Sequence, residues 1–443
     1  MNIQLSNHFT YRKLLRFTLP SMAMMIVTSI YGVVDGLFVS NLLGSNAFAA
    51  VNLIMPFVMI FGAVGFMLGT GGSALVAKNL GEGDTKKANQ LFSMLIYVLI
   101  AFGVIFTILG IVFLKPIAIL LGATPELLGY CVSYGKVLLL TLTAFMLQTS
   151  FQTFFVVAEK PNMGLIISIA SGLTNVVLDF LFIFVFSWGV AGAAAATGIS
   201  QVVGSIIPFV YFLRKNDSML KLTRPVWNGK ALLRSCTNGS SEMMTNLSFS
   251  LVNMLYNFQL MKLVGANGVS AYGIIMYVSF IFLGVYMGYS IGSAPIISYH
   301  YGAANDSELK SLFKKSLAII GGCAVILTLI AEILAMPLAK IFVGYDAELL
   351  EITCRALRLF SLSFLFSGVN IFASAFFTAL NNGMVSAFIS FLRSLVFQVM
   401  MILWLPVLWG IDGIWLAVVV AELMTLAITL TLFAVKKKQY HYL

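Results

Sequence analysis

Charge is what this sequence has least of. Asp, Glu, Lys and Arg make up only 9% of its 443 residues, against 60% hydrophobic residues. A water-soluble domain carries about 25% charged residues, so this chain cannot cover a surface facing water, which argues against an ordinary soluble enzyme or binding module. Cysteine is scarce as well. Cys131, Cys236, Cys323 and Cys354 stand singly in apolar surroundings, with neither a CxxC pair nor metal-ligand spacing. That excludes a disulfide scaffold and a zinc site. The three histidines, His8, His300 and His441, are too far apart in sequence to suggest a cluster. Acidic residues are fewer than basic ones, 16 against 26, for a net charge of +10. In a chain this apolar the basic excess is what cytoplasmic loops collect under the positive-inside rule, so no nucleic-acid partner is expected.

What the sequence does have is long apolar runs, with a mean hydropathy of +0.99. A spanning helix needs about 20 mostly apolar residues, and the runs number about twelve, from 17–40 through 236–262 to 411–435. The first follows a polar, basic start and lacks a small-residue cleavage pattern, so it is read as a retained helix. Basic residues alternate in number from loop to loop: Arg12, Lys13 and Arg16, then Lys86 and Lys87, then the stretch from Arg214 to Arg234, then Lys310 to Lys315 and Lys436 to Lys438 share one side, while Lys115, Lys262 and Lys340 hold the other. Both termini are therefore expected in the cytoplasm of a multi-pass cell-membrane protein.

The chain repeats itself. LLGSNAFAAVNLI around Gly44 resembles LVGANGVSAYGII around Gly265, an offset of 221 that recurs between WGVAGAA at Trp188 and WGIDGIW at Trp409. LGATPELL at Gly122 matches VGYDAELL at Gly344 with one residue inserted. The expected fold is all-α and polytopic, with two homologous six-helix bundles over residues 1–215 and 236–443 and a cytoplasmic linker at 216–235. Parallel repeats of this kind bind cargo between the halves and alternate access by rocking.

A charge in hydrocarbon is expensive, so an acid deep inside a span is a functional candidate by default. Most of the 16 acids fall in loops, and Glu242, Glu332, Glu351 and Asp412 are placed near helix ends. Asp35 and Asp179 stand well inside spans, and a fixed offset of 221 sets Tyr256 and Met400 opposite them, so the fold does not require acids there. Asn175 lies one turn before Asp179 on the same face, and the sixth span supplies Thr197. Carboxylate, amide and hydroxyl oxygens suit a sodium ion, and a carboxyl in apolar surroundings can carry a proton. Glu422 is placed to pair with Arg393. Pro20 is read as opening the first helix, and Gln148, Gln152, Asn253 and Asn257 as amides that line a central cavity.

Taken together, a first helix with Pro20, Tyr31 and Asp35 ahead of GLFVSNLLG, a fifth carrying TNVVLD up to Asp179 and a sixth carrying GAAAAT up to Thr197 resemble the multidrug and toxic compound extrusion (MATE) transporters of the MOP superfamily, in particular the DinF and MepA branch. The resemblance covers nearly the whole chain. It implies an antiporter that exports organic cations and amphipathic compounds on inward movement of protons or sodium, with Asp35, Asn175, Asp179 and Thr197 as the coupling site and Tyr31 and Pro20 beside it in a helix that bends on protonation. The carboxyl-terminal acid site of the NorM branch has no counterpart in the tenth span. No cofactor beyond the coupling ion and no catalytic activity are expected. The expected partners are small molecules and the bilayer, with the chain acting as a monomer. The alternative is a flippase for a lipid-linked precursor, whose anionic cargo calls for basic residues in the cavity, where Arg393 is the clear candidate.

Overall fold

In hydrocarbon every backbone N–H and C=O must find its partner within the protein, which drives spanning segments into helices. The computed structural model describes residues 3–344 and 346–442, and no strand occurs among them. The first helical run breaks at Gly44 (φ 84°, ψ 177°) into α1 (Tyr11–Gly36) and α2 (Asn46–Gly81). Then come α3 (Thr85–Leu120), a bent α4 (Pro125–Leu140 and Leu142–Val157, 54° apart), α5 (Pro161–Val185) and α6 (Gly189–Leu213). The second half holds α7 (Gly229–Leu263), α8 (Ala266–Gly302), α9 (Asp306–Val343) and a bent α10 (Ala347–Ser361 and Phe364–Ala379, 48° apart). Its last run, Gly383–Tyr440, is 58 residues long and breaks at Gly410 (φ 58°) into α11 (383–409) and α12 (411–440).

By length and hydropathy, eight helices qualify as spans, or ten with each bent pair taken as one. The 58-residue run supplies an eleventh, because it is far longer than one crossing needs. The twelfth, α7, falls short because Asn238, Ser240, Ser241, Glu242, Thr245 and Asn246 interrupt it. It also starts earlier than the run 236–262 suggests, so residues 229–235 of the expected linker are helical. The rest of that linker is tied to the first half: the Thr223 amide donates to Ser93 Oγ (2.7 Å) and Lys160 pairs with Asp217 (2.6 Å). The Lys160 ammonium holds the Asp217 carboxyl below the usual carboxylate range.

The backbone itself records the duplication. Left-handed residues recur at an offset of 221 in the pairs Gly44 and Gly265, Gly83 and Ala304, and Gly189 and Gly410, and at 222 in Glu159 and Asn381. The helix caps Asp84 and Asn305 are also 221 apart. The shift to 222 in α5 and α11 makes Met401, rather than Met400, the counterpart of Asp179. The residue is still not an acid.

Both termini and the turns near 82, 159, 304 and 381 share one face, called here the terminal face. There the halves cross backbone against backbone. A Cβ on Gly81 would lie 1.9 Å from the Tyr299 carbonyl oxygen, and one on Gly302 would lie 2.1 Å from that of Lys78, its mirror contact under the 221 offset. Deeper in the bundle, a Cβ on Gly239 of α7 would lie 1.9 Å from the Met67 carbonyl oxygen of α2. Ser298 adds a hydrogen bond across the halves to Ala74 O (2.6 Å).

A strap, residues 3–10, lies over this crossing. Leu5 and Phe9 are fully buried in the core of the second half, whereas the Leu5 amide donates to Glu159 Oε1 (2.6 Å) of the first. Glu308 accepts from the Phe9 amide (2.8 Å) and contacts His8 Nδ1 (2.6 Å). Charge-assisted bonds of this type contribute about 1.5–3 kcal/mol each. Glu308→Gln should therefore speed amide exchange in residues 3–10 by about tenfold or more with the α9 cap intact, and unchanged exchange would show that the strap is not held this way.

Candidate functional site

The site is built where α1, α5 and α6 meet inside the first half. Tyr31 sets the register. Its ring lies over Gly172 of α5, where any Cβ would stand 1.6 Å from it, and its hydroxyl donates to Ile169 O (3.2 Å). Asp35, one turn further along α1, then meets Asp179, two turns beyond Gly172 on the parallel α5. Asp179 is 0% exposed and Asn175, one turn earlier on the same face, is 7% exposed. Asn175 Nδ2 lies 3.4 Å from Thr197 Oγ1 of α6. All four expected coupling residues thus come together.

The two carboxyls are within hydrogen-bonding reach of each other. No other described group donates to either oxygen of Asp179 or to Oδ1 of Asp35. Two carboxylates offer no hydrogen, so the contact is bonded only when one proton sits between them. Directly after Asp179 the helix loosens into a π-turn, Phe180–Val185, a feature common at functional positions.

Two residues that sequence reasoning missed complete the surroundings. Tyr134 of α4 is buried within electrostatic reach of both acids. Tyr277 of α8, in the other half, lies within electrostatic reach of Asp35, and its hydroxyl would be 3.1 Å from a Cβ on Gly36. A tyrosine in an apolar run gives no signal of the partner it faces. Only the packing reveals it.

Other expectations need correction. Pro20 lies inside α1, which begins at Tyr11, so it does not open the helix; it leaves the Arg16 carbonyl without its i+4 donor. Gln148 and Gln152 are taken up between helices, donating to Ser171 Oγ (3.0 Å) and Ser168 Oγ (3.3 Å). Such bonds glue helices in lipid. Asn253 accepts from Tyr272 (2.7 Å) in the second half, while Asn257 is exposed; neither joins the carboxyl pair. Glu242 is not near a helix end, because α7 begins 13 residues before it, about 20 Å along the axis. Glu422 does pair with Arg393, at 2.8 Å. Among the described residues no group of three His, Cys, Asp or Glu is arranged to hold a metal ion.

Comparison with known proteins agrees with this architecture. The family profile described as MatE matches the chain twice, over residues 20–181 and 243–404. The multidrug export protein MepA of Staphylococcus aureus (strain MSSA476) is 26% identical over 434 residues, covering 97% of this chain and 94% of its own length. MepA of Staphylococcus saprophyticus is 28% identical over 369 residues, 81% of each chain. A solved outward-facing structure of a multidrug resistance MATE family transporter of the MOP superfamily superimposes with a TM-score of 0.93 at 22% identity, covering 99% of this chain and 98% of that one.

Proposed function

Because this chain belongs to the MatE family, we propose that it is a secondary active multidrug exporter, a cell-membrane antiporter that moves small amphipathic and cationic compounds outward by alternating access. The observation that carries the coupling is the pair of Asp35 and Asp179, two facing carboxyls, Asp179 fully buried and Asp35 partly so, that no other described group bonds at Asp35 Oδ1 or at either Asp179 oxygen. The coupling ion is read as a proton held between them. A sodium ion would have to recruit the Thr197 hydroxyl and the Asn175 amide oxygen beside the carboxylates, whereas it is the Asn175 amide nitrogen that lies against Thr197 Oγ1 (3.4 Å).

The terminal face is taken as cytoplasmic, as the basic loops require. With α2 and α8 crossed there, cargo bound between the halves faces the exterior. An incoming proton bridges the carboxyl pair and lowers its charge from two negatives to one, and α1, which brings Asp35, also carries the backbone gap left by Pro20 and the seat of Tyr31 on Gly172. A shift of α1 along α5 then favours release of cargo and reopening toward the cytoplasm. The coupling needs only that proton and cargo prefer different arrangements of the halves. The chain acts as a monomer and no catalytic step is involved.

Proteoliposomes loaded with a fluorescent organic cation test this reading. An imposed proton gradient should drive the dye uphill, and a sodium gradient alone should not. Movement under sodium alone would replace the proton by sodium, and no movement under either gradient would remove the exporter reading.

A further inference from the structure

The linker between the halves carries side chains that the coupling site does not use. From Ser218 to Ser241 the chain holds no acid, whereas Lys221, Arg224, Lys230 and Arg234 are basic. The first three are exposed, and none of them enters an ion pair with a described residue. Between Arg224 and Lys230 stand Val226 and Trp227, 51% and 72% exposed. Three free cations thus flank an open apolar pair.

The backbone beneath these side chains is held in place. Asn89 of α3 accepts from the Lys221 amide (2.7 Å) and donates to Met219 O (3.3 Å), Ser93 Oγ accepts from the Thr223 amide (2.7 Å), and the Asn228 amide donates to Met94 Sδ (3.3 Å). The linker therefore runs along the start of α3 in the direction of the membrane. Asn228 then caps α7, accepting from the Ala231 amide (3.0 Å), which fixes Lys230 in the first turn, with the exposed Leu233 three residues on along the same side.

The depth of this segment follows from α3. The 27 residues between Lys87 and Lys115 carry no charge. At 1.5 Å per residue they are about 10 Å longer than a hydrocarbon core of about 30 Å. Shared between the two ends, that excess puts the boundary on the terminal face close to Leu91–Ser93. Thr223 is bonded at that level, and Val226 and Trp227 follow it, before the contact of Asn228 with Met94. Tryptophan concentrates at this level of a bilayer, where its ring meets both the chains and the headgroups. Lys and Arg stems lie along the same zone with their charges among the phosphates.

We infer that the linker is a docking surface for anionic phospholipid of the cytoplasmic leaflet, with Val226 and Trp227 entering the interface and Lys221, Arg224 and Lys230 meeting headgroup phosphates. Charge complementarity selects the anionic headgroup, and the apolar pair at the same depth selects a lipid over a soluble anion. The surface uses the sidedness assigned above but neither the cargo nor the coupling ion. It also joins the halves: the linker is bonded to α3 of the first, while Lys230 belongs to α7, which crosses α2 at Gly239. Lipid charge in that leaflet then bears on the crossing.

The test uses the purified full chain in phosphatidylcholine nanodiscs containing a minor fraction of lipid brominated near the headgroup end of its chains. Bromine quenches tryptophan on contact, and the emission lost in Trp227→Phe isolates Trp227 from Trp188, Trp404, Trp409 and Trp415. Because one Lys or Arg near an anionic surface changes partition by about fivefold, brominated phosphatidylglycerol should quench Trp227 at fractions lower by about fivefold or more than brominated phosphatidylcholine. Lys221→Gln, Arg224→Gln and Lys230→Gln together should remove that preference, and salt at about 0.5 M should remove it in the native chain by screening. Equal quenching by the two lipids, quenching by neither, or a preference that survives the triple substitution would overturn the surface. Millimolar glycerol phosphate in the buffer should leave the preference intact; its loss there would give the surface to a soluble anion and overturn the lipid.

Discussion

The Asp179→Asn protein should insert and fold normally, bind cargo, and fail to move it against a concentration gradient. Asparagine has nearly the shape of a protonated aspartate but cannot lose a proton, so it fixes the pair in the form bonded to Asp35, with the single negative charge of the protonated native pair. With that switch fixed, proton binding no longer distinguishes the two arrangements of the halves. Coupling free energies between sites are typically about 1–3 kcal/mol, or roughly 5–150-fold in affinity, and uphill accumulation should fall by that range toward equilibration. Stability should hold or rise, because the variant supplies a donor to a pair that receives none from the other described groups. Asp35→Asn should behave alike. The deciding measurement is dye accumulation in proteoliposomes under a fixed proton gradient; full uphill transport by Asp179→Asn would remove the carboxyl pair from the coupling role.

The second large effect is expected at the crossing of the halves. A methyl group at Gly239 would stand 1.9 Å from the Met67 carbonyl oxygen, and backbone atoms cannot yield as a side-chain tip can. Gly239→Ala should therefore hold α7 and α2 apart without disturbing either helix, since alanine is the better helix former. Overpacking of this type costs about 1–3 kcal/mol, here charged only to the state in which the terminal face is closed. Cys236, one turn away on α7, is a free and partly exposed thiol and serves as the native reporter. Its labelling by a maleimide supplied from the terminal face should speed up by about tenfold or more, and export should fall in parallel. Unchanged labelling with full export would show that closure does not depend on this contact.

Most of the architecture was legible in the sequence because it is written in local terms. A span is a run of apolar residues, a repeat is a recurring offset, and the break at Gly410 recurs at Gly189 as a glycine preceded by tryptophan. The proposed coupling residues were legible for a related reason: an acid inside an apolar run is costly wherever the helix lies, so Asp35 and Asp179 stand out before any partner is known. Asn175 follows from helical spacing alone.

Other features depended on where each helix begins and what it meets. Glu242 looked peripheral because the apolar run around it starts late, yet α7 extends back to Gly229 through polar residues that the interior of a bundle tolerates. Gln148 and Gln152 looked like cavity amides, and packing gave them serine partners on α5 instead. Tyr134 and Tyr277 gained meaning only from the acids they face, and Gly239 only from the carbonyl pressed against it. The sequence by itself determined that this is a duplicated twelve-helix membrane protein with two misplaced acids, because hydrophobicity, periodicity and desolvation act along the chain. The tertiary structure alone decided which polar groups are bonded, which half each one addresses and which face is closed, because those depend on contacts between residues far apart in sequence.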